Sequence, residues 1–199
     1  MNLIFFGGSF DPIHIGHLIT ARDVAEGLRV EKVVFIPASQ SPLKESHKAD
    51  PKDRLTMLTL AIGGEPLFEF SKMEIERGGI SYTVDTAREL LGLLGKKPTF
   101  LVGADSILTL HMWKEPYELV KMATFVIADR EEKAEEVERY IRENFPHLKP
   151  GKDLIILRTR NVDVSSTEIR KRLKEGKSIK WLVPEKVEEY ILERKLYII

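Results

Sequence analysis

The sequence predicts an α/β protein: a doubly wound, Rossmann-like parallel sheet with helices on both faces and a small C-terminal helical subdomain. Three observations carry that expectation. Five short apolar runs, at residues 3–6, 33–37, 99–102, 123–128 and 154–157, are rich in β-branched and aromatic residues and too short to be helices. Between them lie longer stretches whose apolar residues recur at helical spacing. The two patterns alternate along the chain, the order expected of a parallel sheet built from right-handed crossovers.

Taken in order, Leu3-Ile4-Phe5-Phe6 reads as a buried strand that runs into Gly7-Gly8, where the chain turns. Ile15, Leu18, Ile19 and Val24 then share one side of a helix over residues 14–28. The second strand, 33–37, is followed by a polar loop over 38–49 without periodicity. Asp50-Pro51 opens the next helix, with Asp50 as N-cap and Pro51 in the first turn. That helix turns Leu55, Leu58, Ala61 and Ile62 inward and stops at Gly63-Gly64. Residues 68–75 alternate well enough for a strand near the sheet edge, and Arg77-Gly78-Gly79 is a turn. Thr83 caps a helix that ends at Gly95, and strand 99–102 leads into Gly103-Ala104-Asp105. Residues 107–122 read as helix interrupted at Pro116. After strand 123–128, a charged helix over 131–144 has Val137, Tyr140 and Ile141 as its inner stripe. Beyond strand 154–157, helices over 166–175 and 184–194 finish the chain. No repeat, linker or low-complexity stretch divides the 199 residues, so a single domain over 1–199 is expected, with 164–199 as its helical part.

Composition narrows the function. Lys+Arg and Asp+Glu number 31 each, so no overall field favours nucleic acid. There is no cysteine, which removes disulfides, thiolate metal sites and thiol nucleophiles and suits a cytoplasmic setting. No apolar run reaches the roughly 20 residues that span a bilayer, and the N-terminus lacks the basic and long apolar regions of a signal peptide. The expectation is therefore a protein with neither nucleic acid nor membrane as partner. A homo-oligomer is compatible with the sequence.

Two stretches stand out chemically. The first is Gly7-Gly8-Ser9-Phe10-Asp11-Pro12-Ile13-His14-Ile15-Gly16-His17, a strand end, a glycine turn and a helix start. Free N–H groups and partial positive charge at a helix start suit phosphate. His14 and His17, three apart, project from one face of the first turn and can hold phosphate oxygens. Two histidines on a solvated, capped helix end are the alternative. The second stretch is Ser165-Ser166-Thr167-Glu168-Ile169-Arg170, a helix start in the form of a capping box. It sits in a segment, 158–180, with eight basic and three acidic residues. It reads either as an ordinary capped helix with a basic face or as a second phosphate site centred on Arg170.

The first stretch resembles the HxGH signature of the nucleotidyltransferase superfamily, in the form found in bacterial-type nicotinate-nucleotide adenylyltransferases, and the second resembles that superfamily's SSTxIR motif. Further segments are similar in the same order. Ser81-Tyr82-Thr83-Val84-Asp85-Thr86 resembles an SYT-x-DT segment, Gly103-Ala104-Asp105 a GxD motif, Trp113-Lys114 a pair that stacks on a pyridine ring, and Trp181-Leu182-Val183-Pro184 a closing Leu-Leu-Pro. In the 38–49 loop, Leu43 stands where the family often has histidine, while Lys44 is kept. Arg54 matches an arginine common in the family, and a surface arginine is the other reading.

The resemblance implies adenylyl transfer from ATP to nicotinate mononucleotide in NAD synthesis, with Mg²⁺ accompanying ATP and no protein metal site. It implies His14 and His17 as the catalytic pair. For ATP and its phosphates it implies Gly7, Gly8, Ser9, Phe10, Lys44, Gly103, Asp105, Ser165, Ser166, Thr167 and Arg170. For the nicotinate nucleotide it implies Tyr82, Thr83 and Trp113. Asp105 as an ordinary N-cap and Trp113 as core packing are the plain alternatives. An amide acceptor, another superfamily transferase and an inactive nucleotide-binding sensor are the rival readings.

Overall fold

A computed structural model describes residues 2–42, 47–130 and 132–198. Six strands, β1 (Leu3–Gly8), β2 (Lys32–Pro37), β3 (Phe68–Phe70), β4 (Thr99–Gly103), β5 (Thr124–Asp129) and β6 (Leu154–Arg158), form one sheet in the order β3-β2-β1-β4-β5-β6. All neighbours are parallel. The order reverses between β1 and β4, so the carboxyl ends of these two strands border the crevice in which such sheets bind ligands.

Strand alternation splits the core into two layers. Ile4, Phe35 and Val126 face one side, with Val24 of α1 (Ile15–Leu28) and Met57 and Leu58 of α2 (Pro51–Ile62). Phe5, Ile36 and Phe125 face the other, with Val84 of α4 (Thr83–Leu94), Leu119 of α6 (Pro116–Met122) and Val137 and Ile141 of α7 (Ala134–Asn144). The doubly wound expectation is met. The C-terminal helices α8 (Ser166–Lys174) and α9 (Glu185–Glu193) lay Ile169, Leu173, Val187 and Ile191 into the same layer as α1 and α2.

Several local expectations change. The 68–75 run is a strand only at Phe68–Phe70. Ser71 N–H donates to the Phe35 carbonyl, and Ser71 Oγ then accepts from Met73 N–H, which turns the chain into the short helix α3 (Met73–Arg77). Thr83 does not cap its helix; Tyr82 occupies the N-cap and Thr83 is the first helical residue. The 107–122 stretch breaks into α5 (Ala104–Ile107), a 3₁₀ turn at Leu110–Met112 and α6, with Pro116 in the first turn of α6, where a missing N–H costs nothing. Helix α2 starts on Asp50 and Pro51 as expected, Asp50 Oδ1 accepting from Asp53 N–H at 2.7 Å. Its inward face is rotated from the expected one: Asp53, Arg54, Met57, Leu58 and Ile62 are buried.

Candidate active site

The site forms where β1 ends. Gly8 must lack a side chain because a Cβ there would lie 2.9 Å from the Phe10 ring. Phe10 holds a left-handed backbone (φ 46°), and its ring is buried against Phe6, Phe35 and His17. It lies outside the ligand cavity; its side chain shapes the turn from below. The turn is pinned by a fully buried arginine. Arg54 donates from Nη1 to the Ser9 carbonyl at 2.9 Å and from Nη2 to the Ser39 carbonyl at 3.2 Å. Burial pushes its pKa down, and the nearby Asp11, Tyr197 and Asp50 oppose that. The surface reading of Arg54 is thereby corrected: it crosses beneath the turn and joins the loops after β1 and β2.

His14 is the N-cap of α1, with extended backbone, and His17 is three residues into the helix. His17 Nδ1 accepts from His14 N–H at 3.3 Å, a capping box made of imidazoles. In neutral His17 that bond leaves the proton on Nε2. The two ring centroids are 3.7 Å apart. Burial, with the positive charge of Arg130 beside it, lowers the His14 pKa to about 4. His14 is therefore neutral at pH 7, and its buried Nδ1 has no hydrogen-bond partner among the described residues. Gly16 leaves room for the His14 ring: a Cβ there would sit 3.0 Å from His14 Nδ1 and 3.5 Å from the Val164 carbonyl, so the ring would have to shift by tenths of an ångström.

Helix α8 docks directly on this turn. Ser165 is its N-cap, Oγ accepting from Glu168 N–H at 3.1 Å. Ser166 Oγ donates to the Pro12 carbonyl at 2.9 Å. Arg170 donates from Nη1 to the Asp11 carbonyl at 2.6 Å and from Nη2 to Thr167 Oγ1 at 3.2 Å. The two motifs from opposite ends of the chain thus share one backbone turn. Asp11 organises its underside, its buried carboxylate accepting from Lys48 N–H, Ala49 N–H and the Tyr197 hydroxyl at 2.7, 3.1 and 2.7 Å. Burial and Asp11 both push the Tyr197 pKa up, which keeps that hydroxyl a donor.

Beside the turn, a cavity of about 450 Å³ is lined by Gly7, Gly8 and Ser9 on one side and Tyr82, Thr83 and Trp113 on another, with Gly103 and Ser106 at its rim. Trp113 packs against the core and also lines this cavity. Its indole N–H donates to Thr109 Oγ1 at 3.2 Å. Lys114 also lines the cavity, its Nζ 4.5 Å from the Tyr82 ring centroid and 3.0 Å from Asp85 Oδ2. Asp105 lies apart, second in α5 rather than its N-cap, exposed and paired with Lys133. Lys44 falls outside the described residues. Among the described residues no group of three or more His, Asp or Glu is placed to hold a metal ion, and no helix is long and apolar enough to cross a membrane.

Sequence reasoning passed over Glu74, Arg130 and Tyr197, and left Asp11 without a role. Arg54 had a legible signal: it precedes Leu58 by four residues, on the buried face of α2.

The cytidylyltransferase-like family model matches residues 5–172, which include both helix starts and the turn they share. The chain belongs to this family. Within it, the chain is 48% identical over 166 residues to a probable nicotinate-nucleotide adenylyltransferase of Aquifex aeolicus, covering 83% of this chain and 99% of that one. It is 43% identical over 197 residues to another so named from Hydrogenobaculum sp., covering 99% of this chain and 98% of the relative. Among solved structures, the Plasmodium falciparum nicotinic acid mononucleotide adenylyltransferase complexed with NaAD superposes with a TM-score of 0.80 at 20% identity, over 98% of this chain and 97% of that one. That likeness shows a shared fold.

Proposed function

We propose that this member of the cytidylyltransferase-like family transfers the adenylyl group of ATP to nicotinate mononucleotide, giving nicotinate adenine dinucleotide and pyrophosphate. The observation that carries the reading is the junction at residues 11–17, where the His14–His17 pair and the Arg170 helix meet on one turn beside the Trp113 cavity. The names of the relatives in Aquifex and Hydrogenobaculum support the acceptor.

The chemistry follows from these groups. An acceptor phosphate has its second pKa near 6 and is largely dianionic at neutral pH, so no base is needed to create the nucleophile. One of its oxygens attacks the α-phosphorus of ATP, the bond from that phosphorus to the bridging oxygen breaks, and pyrophosphate leaves carrying the charge. Catalysis is then positioning and charge neutralisation. His17, with its proton on Nε2, donates toward the α-phosphate. His14, neutral and with an unpaired buried nitrogen, gains a partner from the nucleotide. Arg170 holds the leaving phosphates, with Ser166 and Thr167 beside it. Lys44 of the 38–49 loop belongs to the same group by resemblance. Asp105 takes the ribose hydroxyls, exchanging its bond to Lys133. Mg²⁺ fits as a companion of ATP, held by phosphates and water, because Asp11 already spends its carboxylate on three donors.

Tyr82, Thr83 and Trp113 receive the pyridine ring. Lys114, at the same cavity, is the cation that favours an acid over an amide. The test is release of pyrophosphate from ATP and Mg²⁺ with nicotinate mononucleotide, and separately with the amide. A preference for the acid of roughly 10- to 200-fold in kcat/KM is expected. Equal rates would remove the acid specificity, and no pyrophosphate with either would remove the function.

A further inference from the structure

Glu74 lies outside every motif, yet it is buried and lines the same cavity as Tyr82, Thr83 and Trp113. Its carboxylate faces two hydroxyls. Thr86 Oγ1 donates to Oε1 at 2.6 Å, and the Ser81 hydroxyl lies near enough to favour the ionised carboxylate. Each hydroxyl also accepts an N–H, Thr86 from Arg77 Nη2 at 2.8 Å and Ser81 from the Ser39 backbone at 2.9 Å. A hydroxyl has one proton. With Arg77 and Ser39 as donors behind them, both hydroxyls keep their protons for an acceptor, and the Glu74 carboxylate is the acceptor on their side of the cavity. Burial pushes the Glu74 carboxyl up, while Thr86, Ser81 and Arg77 act to keep it ionised, against the charge of Glu89. The chain of bonds continues from Ser39, whose carbonyl accepts from Arg54, to the Ser9 carbonyl in the phosphate turn. Ser81 N–H also donates to the Gln40 carbonyl at 2.8 Å, which ties residues 39–40 to the segment before α4.

We infer that Glu74 is a positioning residue for the acceptor: through Ser81 and Thr86 it fixes the Tyr82–Thr83 wall against the phosphate turn, and so sets acceptor affinity without touching ATP. The inference rests on the adenylyl-transfer reading above.

Steady-state kinetics on the full chain, with nicotinate mononucleotide and ATP varied in turn, test it. Glu74→Gln turns an NH₂ toward one of two hydroxyl protons, and KM for the nicotinate nucleotide should rise about tenfold while KM for ATP stays within about threefold. KM does not depend on how much of the preparation is active, so partial misfolding does not mimic that split. Should Glu74→Gln give no soluble protein, Ser81→Ala removes one arm of the same network and should move the same ratio in the same direction. Combining Ser81→Ala with Glu74→Gln should raise acceptor KM less than the product of the single effects, since both break one bond. An unchanged KM ratio in a wild type that turns over, or an equal rise for both substrates, overturns the role of Glu74 alone. A wild type that releases no pyrophosphate overturns the adenylyl-transfer reading and this inference with it.

Discussion

At the scale of single residues, the two histidines perform different tasks although the sequence presents them as a pair. His17 closes the helix cap through Nδ1, which in the neutral ring leaves its proton on Nε2. Replacing it with alanine should cost about 1 kcal/mol of stability through the lost cap, but at least 100-fold in kcat through the lost donor. Chemical denaturation and steady-state rates separate the two effects, and a kcat within a few-fold of wild type would refute the donor role. His14 is buried and neutral. Its pKa is about 4 in the folded protein against 6.5 unfolded, so the unfolded chain binds the extra proton between those values. Stability from this group is fully present above pH 6.5 and is lost as pH falls toward 4, by an amount on the order of 3 kcal/mol. Urea midpoints measured from pH 7.5 to pH 4 should fall less steeply for His14→Gln than for wild type; parallel curves would show that His14 already titrates normally in the fold.

At the scale of elements, α1 and α8 are positioned by what their first turns lack or donate. Gly16 gives α1 a first turn on which the His14 ring can rest. Gly16→Ala should hold or slightly raise the thermal midpoint, since alanine favours helix by about 1 kcal/mol over glycine. The same substitution should lower kcat by roughly tenfold or more, because the His14 ring must move by tenths of an ångström at a site where small misplacement is costly. A loss of stability with kcat intact would reverse that assignment. Helix α8 reads from sequence as a capped helix with basic residues, and its cap is present at Ser165. What it does beyond capping depends on Ser166 and Arg170 finding the carbonyls of Pro12 and Asp11.

At the scale of the whole molecule, the C-terminus closes the site from beneath. Tyr197 joins Asp11, and Tyr190 of α9 joins Asp53 of α2 at 2.6 Å. Both contacts tie the last residues to the turn and to the helix that carries Arg54. Tyr197→Phe keeps the ring and removes the donor, leaving a buried carboxylate oxygen short of a bond. It should lower unfolding free energy by about 1–3 kcal/mol and raise KM for ATP, read by urea denaturation and kinetics on the same preparation. Unaltered stability would mean that water replaces the hydroxyl at Asp11.

The order of strands and main helices, the glycine turn after β1, the Asp50-Pro51 start of α2 and the helix starts at His14 and Ser165 were legible in the sequence, because they rest on local periodicity and capping that act within a few residues. Boundaries failed where long-range pairing decided them, as at β3, which ends where Ser71 meets Phe35 of the neighbouring strand. The residues carrying motifs were found by pattern, Arg54 and Asp11 among them but without their roles; Glu74 and Tyr197 were not found. Their meaning depends on partners from other parts of the chain: Ser9 and Ser39 for Arg54, Tyr197 for Asp11, and the Thr86 hydroxyl of α4 for Glu74. Sequence alone determined which backbone could bind phosphate, since helix starts and glycine turns are local. Only the tertiary structure decided which buried charges hold that backbone still, because a buried charge survives only among partners that folding brings to it.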